Sequence, residues 1–155
     1  MRIIGIDPGY AIVGWGVIEY NNTKFKTIAY GAVTTPAGMD FSERLERIYD
    51  EISLIIAKYK PEAVAVEELF FTNNQKTAIA VGQARGVILL AAKKAKIEFN
   101  EYTPLQVKQA IVGYGRAEKK QVQQKPNLFR YYNLCSYTMY DFISSIFFLQ
   151  SVIIL

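Results

Sequence analysis

The sequence predicts an α/β fold, in which a mixed sheet of three antiparallel strands followed by parallel strands is flanked by helices. Two observations support this fold class. Short apolar runs that each stop at a turn or at an acidic residue predict buried strands. Longer segments between them, with apolar residues every three or four positions, predict amphipathic helices. Helices that alternate with strands in this order imply right-handed parallel crossovers.

The first three predicted strands lie within the first 34 residues. Residues 3–6 form a continuous apolar run that stops at Asp7, Pro8 and Gly9, as expected of a short buried strand that ends in a turn. Residues 12–20 alternate in character, and residues 25–34 resemble the returning strand of a hairpin that turns at positions 21 and 22. Three antiparallel strands therefore open the chain.

A helix is predicted over residues 41–59. Its apolar side chains recur at helical spacing: Phe41, Leu45, Ile48, Ile52, Ile55 and Tyr59. Asp40, with Glu43 three residues later, has the pattern of an N-terminal cap. Pro61 ends the helix, because proline cannot continue the backbone hydrogen bonds.

The chain then alternates between strand and helix. Residues 63–66 predict a buried strand that ends at Glu67 and Glu68, residues 75–95 predict a helix, and residues 97–99 predict another strand. Each of these elements is short enough to belong to one compact sheet.

A third helix is predicted to begin near Thr103. This threonine is a suitable cap, and Pro104 suits the first turn of a helix. The complete predicted order is βββαβαβα, which describes a mixed sheet with helices on its faces.

Composition excludes several classes of chemistry. The 155 residues are 51% hydrophobic and 21% charged, which suits one domain with a buried core. The chain has no histidine and one cysteine, Cys135, so imidazole-based triads, histidine-ligated zinc and intrachain disulfides are excluded. Carboxylates remain, and their oxygens favour hard cations such as Mg²⁺ or Mn²⁺. The net charge of +4 permits a nucleic-acid partner but does not imply one.

Two acidic residues stand at the ends of predicted strands, Asp7 after the first and Glu67 after the fourth. Sites in open α/β sheets form at the carboxyl ends of strands. If these strands are parallel neighbours, the two carboxylates lie side by side and repel each other unless a cation lies between them. The alternative is that Asp7 only begins a turn and Glu67 is a solvated acid. Alternation places Glu67 and Glu68 on opposite faces but does not choose between them.

Six short motifs occur in order along residues 1–124. They are Ile4-Gly5-Ile6-Asp7-Pro8-Gly9, Gly14-Trp15-Gly16, Val66-Glu67-Glu68-Leu69-Phe70, Gly82-Gln83-Ala84-Arg85-Gly86, Val107-Lys108-Gln109, and Val112-Gly113-Tyr114-Gly115 followed by Ala117-Glu118-Lys119. In this order and spacing they resemble the RuvC family of Holliday junction resolvases. A lone Asp-Pro-Gly turn carries little information, whereas the ordered set is specific.

The resemblance implies a ribonuclease-H-like nuclease domain over residues 1–124 and a homodimer whose subunits each nick one strand of a four-way DNA junction. It implies Mg²⁺ as cofactor, with Mn²⁺ as a substitute, bound by four carboxylates. Asp7 matches the family's first catalytic and metal-binding acid, and Glu67 matches the second, which selects Glu67 over Glu68 by analogy. Family analogy also implies a complex with a branch-migration helicase.

The resemblance assigns further residues to DNA and to the dimer. Phe70 matches an aromatic residue that stacks on junction bases, and Lys108 and Lys119 match basic residues near the scissile phosphate. Gly82 and Gly86 lie four apart on a helix that the family uses as a dimer contact. Without the resemblance, Phe70 is equally a core residue, the lysines are ordinary solvated side chains, and the glycines serve internal packing.

Residues 125–155 differ from the rest of the chain. They contain no glycine, alanine or glutamate, and their charged residues are Lys125, Arg130 and Asp141. The family's other two acids lie in a C-terminal Asp-x-x-Asp-Ala motif, which this sequence lacks, and the neighbours of Asp141 do not match it. We therefore expect an aberrant aromatic and apolar tail in place of the catalytic helix, either frame-shifted or natural and divergent.

The sequence thus predicts a metal-dependent endonuclease that nicks Holliday junctions symmetrically in DNA recombination and repair, impaired here by the missing acids. The alternative is a non-catalytic dimer that binds four-way junctions. An actin-like or sugar-kinase-like ATPase is disfavoured, since no second Asp-x-Gly turn is present. The uncharged run at 142–155 is shorter than the ~20 residues of a membrane span. With no signal peptide expected, we predict a cytoplasmic protein without a membrane partner.

Overall fold

The computed structural model describes residues 1–21, 24–68, 75–103 and 106 of the chain. Strands and helices within these ranges alternate in the predicted order. They are β1 (Arg2–Asp7), β2 (Ile12–Asn21), β3 (Lys24–Thr34), α1 (Phe41–Tyr59), β4 (Ala63–Glu67), α2 (Gln75–Lys94) and β5 (Glu98–Tyr102). The bounds of α1 are the predicted ones, and α2 ends one residue earlier than predicted.

The described strands form one sheet in the order β3-β2-β1-β4-β5. β2 pairs antiparallel with β1 and with β3, whereas β4 pairs parallel with β1 and with β5. Parallel neighbours need a crossover connection, and α2 supplies the one between β4 and β5. The predicted fold class, a mixed sheet flanked by helices, is confirmed.

The two faces of the sheet bury different side chains. Ile4 and Val64 are 0% exposed and belong to a cluster that packs against both helices. The helix residues of this cluster are Ile48, Ile52, Ile55, Ile56, Ala84, Ile88, Ala91 and Ala92. Neighbouring positions on the strands form a second, smaller cluster: Ile3, Ile18, Ala63 and Ala65. Because side chains alternate along a strand, this cluster lies on the face opposite α1 and α2.

The cap of α1 forms at the predicted residue with a different partner. Asp40 Oδ1 accepts hydrogen bonds from the backbone N–H of Ser42 (2.8 Å) and from its hydroxyl (2.5 Å). The cap therefore works mainly through Ser42, the second residue of the helix, and the backbone N–H of Glu43 adds a smaller interaction with the Asp40 carboxylate. At the other end Lys60 adopts the left-handed conformation, with φ 49°, directly before Pro61.

The hairpin of β2 and β3 is confirmed, and the two strands pair along their whole length. The turn was predicted at residues 21 and 22, and residues 22–23 lie outside the described residues. Trp15 lies opposite Gly31, where an added Cβ would come within 2.9 Å of the indole ring. Gly31 therefore leaves room for the Trp15 ring to lie across β3.

The last described strand is longer than predicted. β5 begins at Glu98 rather than at Ile97 and continues to Tyr102. Ile97 closes the turn after α2 instead, where its N–H donates to the carbonyl of Ala92 at 3.1 Å. The predicted strand ended at residue 99 because the residues that follow it are polar. Polar residues are common in a strand at the end of a sheet, and β5 is the last strand in the order of the described sheet.

Thr103 caps the following segment, as predicted. Gln106 N–H donates to Thr103 Oγ1 at 3.2 Å, and Thr103 N–H donates to Gln106 Oε1 at 2.8 Å. These reciprocal bonds form a capping box. The rest of the predicted third helix lies outside the described residues.

Candidate functional site

Asp7 and Glu67 are the final residues of two neighbouring parallel strands. The last Cα pair of the β1–β4 ladder is Ile6–Val66, so each acid comes one residue beyond it. Both side chains are half-buried. The sequence placed each acid after its strand, whereas both belong to the strand. The parallel pairing on which their proximity depends is confirmed.

The two acids occupy the face of the sheet opposite the described helices. Ile6 and Val66 belong to the cluster that packs against α1 and α2, and alternation turns the next residue to the other face. Ala65, two positions before Glu67, accordingly lies in the second cluster. On β2 the residue opposite Asp7 is Gly14. Glu67 therefore flanks Asp7 on one strand, and a residue without a side chain flanks it on the other.

A tight turn follows Asp7. Pro8 is buried, and a Cβ added to Gly9 would lie 2.2 Å from the carbonyl oxygen of Ile12. That distance is far inside van der Waals contact, so the backbone can approach this closely only at glycine. The Asp-Pro-Gly motif thus ends β1 and sets the path of the chain directly after the first acid.

Tyr102 is the β5 neighbour of Glu67 in the parallel ladder. The backbone N–H of Glu68, an exposed residue, donates to the Tyr102 carbonyl at 2.7 Å and extends the ladder by one bond. Burial, with a smaller contribution from the negative charge of Glu98, raises the pKa of the Tyr102 phenol above its ordinary value. Sequence reasoning missed Tyr102 because β5 was predicted to stop at residue 99.

The acid pair has the chemistry of a site for a hard cation. Two adjacent carboxylates repel each other unless a cation or a proton compensates them, and anionic oxygens are the ligands that Mg²⁺ prefers. No group of three or more Asp, Glu, His or Cys side chains within the described ranges could hold a metal ion. Asp7 and Glu67 therefore fit such a cation as two of its ligands.

Gly82 and Gly86 lie on the outer side of α2. A Cβ added at either glycine would meet nothing within 4 Å outside the helix backbone. Ile79 and Leu90 share this side of the helix and are 65% and 51% exposed. The described part of α2 thus presents an apolar stripe with two positions at which another backbone could approach closely.

Arg85, from the same motif as the two glycines, makes a structural contact. Its Nη2 atom pairs with Glu101 Oε1 on β5. The ion pair joins α2 to the strand that also carries Tyr102.

Sequence reasoning also missed a buried charge, Arg44, which is 9% exposed. A signal was available, because Arg44 stands four residues before Ile48 and eight before Ile52, on the buried stripe of α1. A charged residue at such a position needs hydrogen-bond partners.

The other predicted site residues lie outside the described residues. They are Phe70, Lys108 and Lys119, and the same holds for Asp141 and the whole tail at 125–155. Over the ranges that the structure does describe, neither helix has the length and apolar character needed to cross a membrane.

Comparison with known proteins identifies relatives along most of the chain. The family model described as "Crossover junction endodeoxyribonuclease RuvC" matches residues 3–129. The protein of that name from Clostridioides difficile is 61% identical over 124 residues, which cover 80% of this chain and 73% of the relative. Its counterpart from Caldanaerobacter subterraneus subsp. tengcongensis is 57% identical over 124 residues, which cover 80% of this chain and 75% of the relative.

A solved structure shares the fold. T. thermophilus RuvC in complex with a Holliday junction substrate matches with a TM-score of 0.85 at 31% sequence identity. The match covers 99% of this chain and 94% of that one.

Proposed function

The chain belongs to the RuvC family of crossover junction endodeoxyribonucleases, with the ribonuclease-H-like fold, and from this premise we propose how it acts. We propose that it binds four-way DNA junctions as a homodimer and nicks them symmetrically, with Mg²⁺ or Mn²⁺ bound by Asp7 and Glu67. The observation that carries this proposal is the placement of the two acids at the ends of paired parallel strands.

The chemistry needs charge at the scissile phosphate. Asp7 and Glu67 would hold a Mg²⁺ ion, which would supply positive charge at the phosphate oxygens and ease deprotonation of the attacking water. Asp7 and Glu67 contribute carboxylate oxygens from a rigid sheet edge, so their positions do not depend on a mobile loop. The turn at Gly9 and the β5 neighbour Tyr102 hold the backbone on either side of this pair.

DNA contacts are proposed from the family motifs. Phe70 stacks on a junction base, an interaction worth ~1–3 kcal/mol that depends little on base identity. Lys108 and Lys119 approach the phosphate backbone, and such contacts make binding weaken as salt rises. Structure-selective recognition follows, because stacking and phosphate contacts respond to the shape of the junction more than to its sequence.

The proposed dimer contact is the outer stripe of α2. Gly86 is exposed and Gly82 is half-buried, an added Cβ would meet nothing within 4 Å at either, and the exposed Ile79 and Leu90 supply apolar surface beside them. Small residues that are four apart allow two helices to approach closely, and the exposed aliphatic side chains gain by being covered. Two subunits joined here would offer one acid pair to each of two strands.

The alternative function is junction binding without cleavage. The described residues supply two acidic ligands, and the sequence lacks the C-terminal Asp-x-x-Asp-Ala motif that provides the family's other two. Mg²⁺ gives up its water reluctantly, so a site with fewer anionic ligands binds it weakly. We therefore propose that this chain binds branched DNA better than it cuts it, with residues 125–155 as the reason.

Two further proposals come from family analogy alone. We propose that the partner in the cell is a branch-migration helicase complex, since a nuclease for four-way junctions acts on DNA that such a motor moves. We also propose a cytoplasmic location, where bacterial DNA is found. Neither proposal draws on a contact in the described residues.

A nicking assay on a synthetic four-way junction tests the proposed function. With Mg²⁺ or Mn²⁺, an active chain gives paired nicks at symmetric positions in the junction and none in linear duplex, and Asp7→Asn removes them. A gel shift with four-way DNA but no nicking supports the alternative. Equal binding of four-way and linear DNA without cleavage would overturn both functions. Strong cleavage that is lost in Asp141→Asn would contradict the proposed impairment.

A further inference from the structure

Arg44 is a buried charge that the proposed mechanism does not use. It lies in the first turn of α1 and is 9% exposed. Its Nε donates to the Met39 carbonyl at 3.1 Å, and its Nη2 donates to the Pro36 carbonyl at 2.5 Å. Its Nη1 donates to Thr35, at 2.9 Å to the hydroxyl and 3.3 Å to the carbonyl. These partners are all neutral oxygens of the turn between β3 and α1.

Thr35 connects this network to the segment that follows Asp7. The Thr35 hydroxyl, which accepts from Arg44, donates to the Tyr10 carbonyl at 2.8 Å. The Thr35 backbone N–H donates to the Ala11 carbonyl at 2.9 Å. The guanidinium carbon of Arg44 also lies 5.9 Å from the centre of the Tyr10 ring. Arg44 thus contacts the turn after the first acid both directly and through one hydroxyl.

Burying the Arg44 guanidinium in this turn costs desolvation free energy. Removing a cation from water is unfavourable, and neutral carbonyls return only part of that free energy. What arginine adds is a rigid planar fork that can bind several oxygens in one fixed geometry. In this structure the fork fixes the 35–39 turn and, through Thr35, the 8–11 turn next to the acid pair.

We propose that Arg44 is a positioning residue for Asp7. By holding residues 8–11 through Thr35 and Tyr10, it limits the movement of the chain directly after β1 and so keeps the Asp7 carboxylate beside Glu67. This inference rests on the proposed function for its effect on nicking, but its effect on the 8–11 turn can be measured without any activity.

Amide hydrogen exchange provides that measurement. Arg44→Met keeps most of the apolar stem and removes the donors, while Thr35→Val removes only the connecting hydroxyl. Arg47→Met, on an exposed position of the same helix, is the matched control. We expect exchange of residues 9–12 to rise about tenfold in the first two variants. Thr35→Val loses the hydroxyl bond to Tyr10, and Arg44→Met loses the bonds that hold Thr35 in place. The exchange rates within β1 should stay at the wild-type value in both variants. In the control, Arg47→Met, the exchange rates of the turn should also stay at the wild-type value.

Either of two results would overturn the proposal. One is unchanged exchange of residues 9–12 in Thr35→Val, and the other is an equal rise throughout the sheet, which would mean general destabilisation. If Arg44→Met fails to fold, Thr35→Val decides alone, because it leaves the bonds of Arg44 to Pro36 and Met39 in place.

A kinetic measurement then separates positioning from binding. With wild-type nicking established, we expect Arg44→Met to lower the nicking rate at saturating junction about tenfold and to raise the Mn²⁺ concentration for half-maximal rate. Junction affinity, measured in Ca²⁺, should stay within about twofold. Arg44→Lys should restore little, because an ammonium group lacks the fork. Wild-type rates in Arg44→Met would overturn the proposal. If the wild-type protein does not nick the junction, the proposed cleavage activity is wrong. The amide exchange of the turn after Asp7 then decides whether Arg44 holds that turn.

Discussion

Asp7 and Glu67 end two parallel strands that are hydrogen-bonded to each other, one residue beyond the Ile6–Val66 pair and on the sheet face opposite the described helices. The two residues are 60 positions apart in sequence, so their proximity is a product of the fold. Side-by-side carboxylates raise each other's free energy unless a cation or a proton neutralises them.

Glu67 and Glu68 are a matched pair of neighbouring acids for a test of the metal site. Glu67 is half-buried beside Asp7, whereas Glu68 is exposed and lies beyond the strand. If the wild type nicks four-way DNA, we expect Glu67→Gln to lower the rate by about 10²- to 10³-fold, because a proposed metal ligand loses its charge. Glu68→Gln should stay near the wild-type rate, and junction binding in Ca²⁺ should persist in both. A larger effect from Glu68→Gln would reverse the assignment.

Gly9 tests the turn next to the site. An alanine Cβ there would lie 2.2 Å from the carbonyl oxygen of Ile12, so the backbone must move. We expect Gly9→Ala to destabilise the fold by about 1–3 kcal/mol, as overpacking does, and to slow nicking about 10²-fold through displacement of Asp7. Urea unfolding and nicking kinetics measure the two effects.

The control for Gly9 is a glycine in a different turn. Gly38 has φ +87° and no atom within 4 Å of an added Cβ, and asparagine tolerates that conformation. Gly38→Asn should leave the nicking rate unchanged. If Gly9→Ala matches Gly38→Asn in both measurements, the close approach at Gly9 has no role in the site.

The glycines of α2 distinguish a dimer contact from a simple helix surface. Gly86 has open space outside the helix, so leucine fits within one subunit and also favours the helix. In a dimer packed on this stripe, leucine would block the approach of the partner and weaken association by about tenfold or more. Sedimentation equilibrium of Gly86→Leu measures this, with thermal unfolding to confirm that the subunit is intact.

Gly86→Ala is the matched variant, because it improves helix propensity by up to about 1 kcal/mol with a much smaller side chain. We expect it to raise the unfolding temperature and to disturb association less than leucine does. Equal dimer strength in wild type and Gly86→Leu would place the dimer contact elsewhere.

The ion pair of Arg85 and Glu101 predicts that replacing one partner destabilises the fold more than replacing the other. The exposed fractions of their side chains are 21% and 43%, and Arg85 Nε is buried with no hydrogen-bond partner among the described residues. We expect a coupling of about 0.5–1 kcal/mol from a double-mutant cycle of Arg85→Met and Glu101→Gln. Glu101→Gln alone should cost more than Arg85→Met, because it leaves the guanidinium half-buried and unpaired. The reverse order in urea unfolding would contradict this account.

The cap of α1 predicts a pH dependence of stability. Hydrogen bonds from the Ser42 hydroxyl and backbone N–H lower the pKa of Asp40 below its ordinary value. A lowered folded-state pKa means that the stabilisation is complete above the unfolded carboxyl pKa of about 4 and is lost as pH falls through the folded value. Asp40→Asn keeps the cap without the charge, so its stability should depend less on pH in that range. Unfolding in urea at a series of acidic pH values measures the difference; identical profiles would show that the cap does not titrate.

Much of the fold could be predicted from local patterns in the sequence. The apolar run at residues 3–6 and the helical spacing in α1 were read correctly, because alternation and 3.6-residue periodicity record which side of an element is buried. The cap at Thr103 was also predictable, since its partner Gln106 is three residues away. The expectation of a hard-cation cofactor came from composition, because a chain without histidine has carboxylates as its remaining metal ligands, and the identity of the metal stays a prediction.

The candidate site was predictable only in part. Asp7 was marked by the turn that follows it, but alternation could not choose between Glu67 and Glu68, and the choice came from a family resemblance. Tyr102 was missed because the polar end of an edge strand resembles a loop. Arg44 was passed over because nothing next to it in sequence announces Thr35 or Tyr10 as partners.

Local patterns are enough to predict the elements, the acids at their ends and the family, because these depend on residues that are close together in the chain. Three relations emerge only in the folded chain: β1 pairs parallel with β4, Asp7 and Glu67 share the face opposite α1 and α2, and Arg44 reaches the turn after Asp7. Those relations depend on hydrogen bonds and packing between residues that are distant in sequence, and local periodicity carries no record of them.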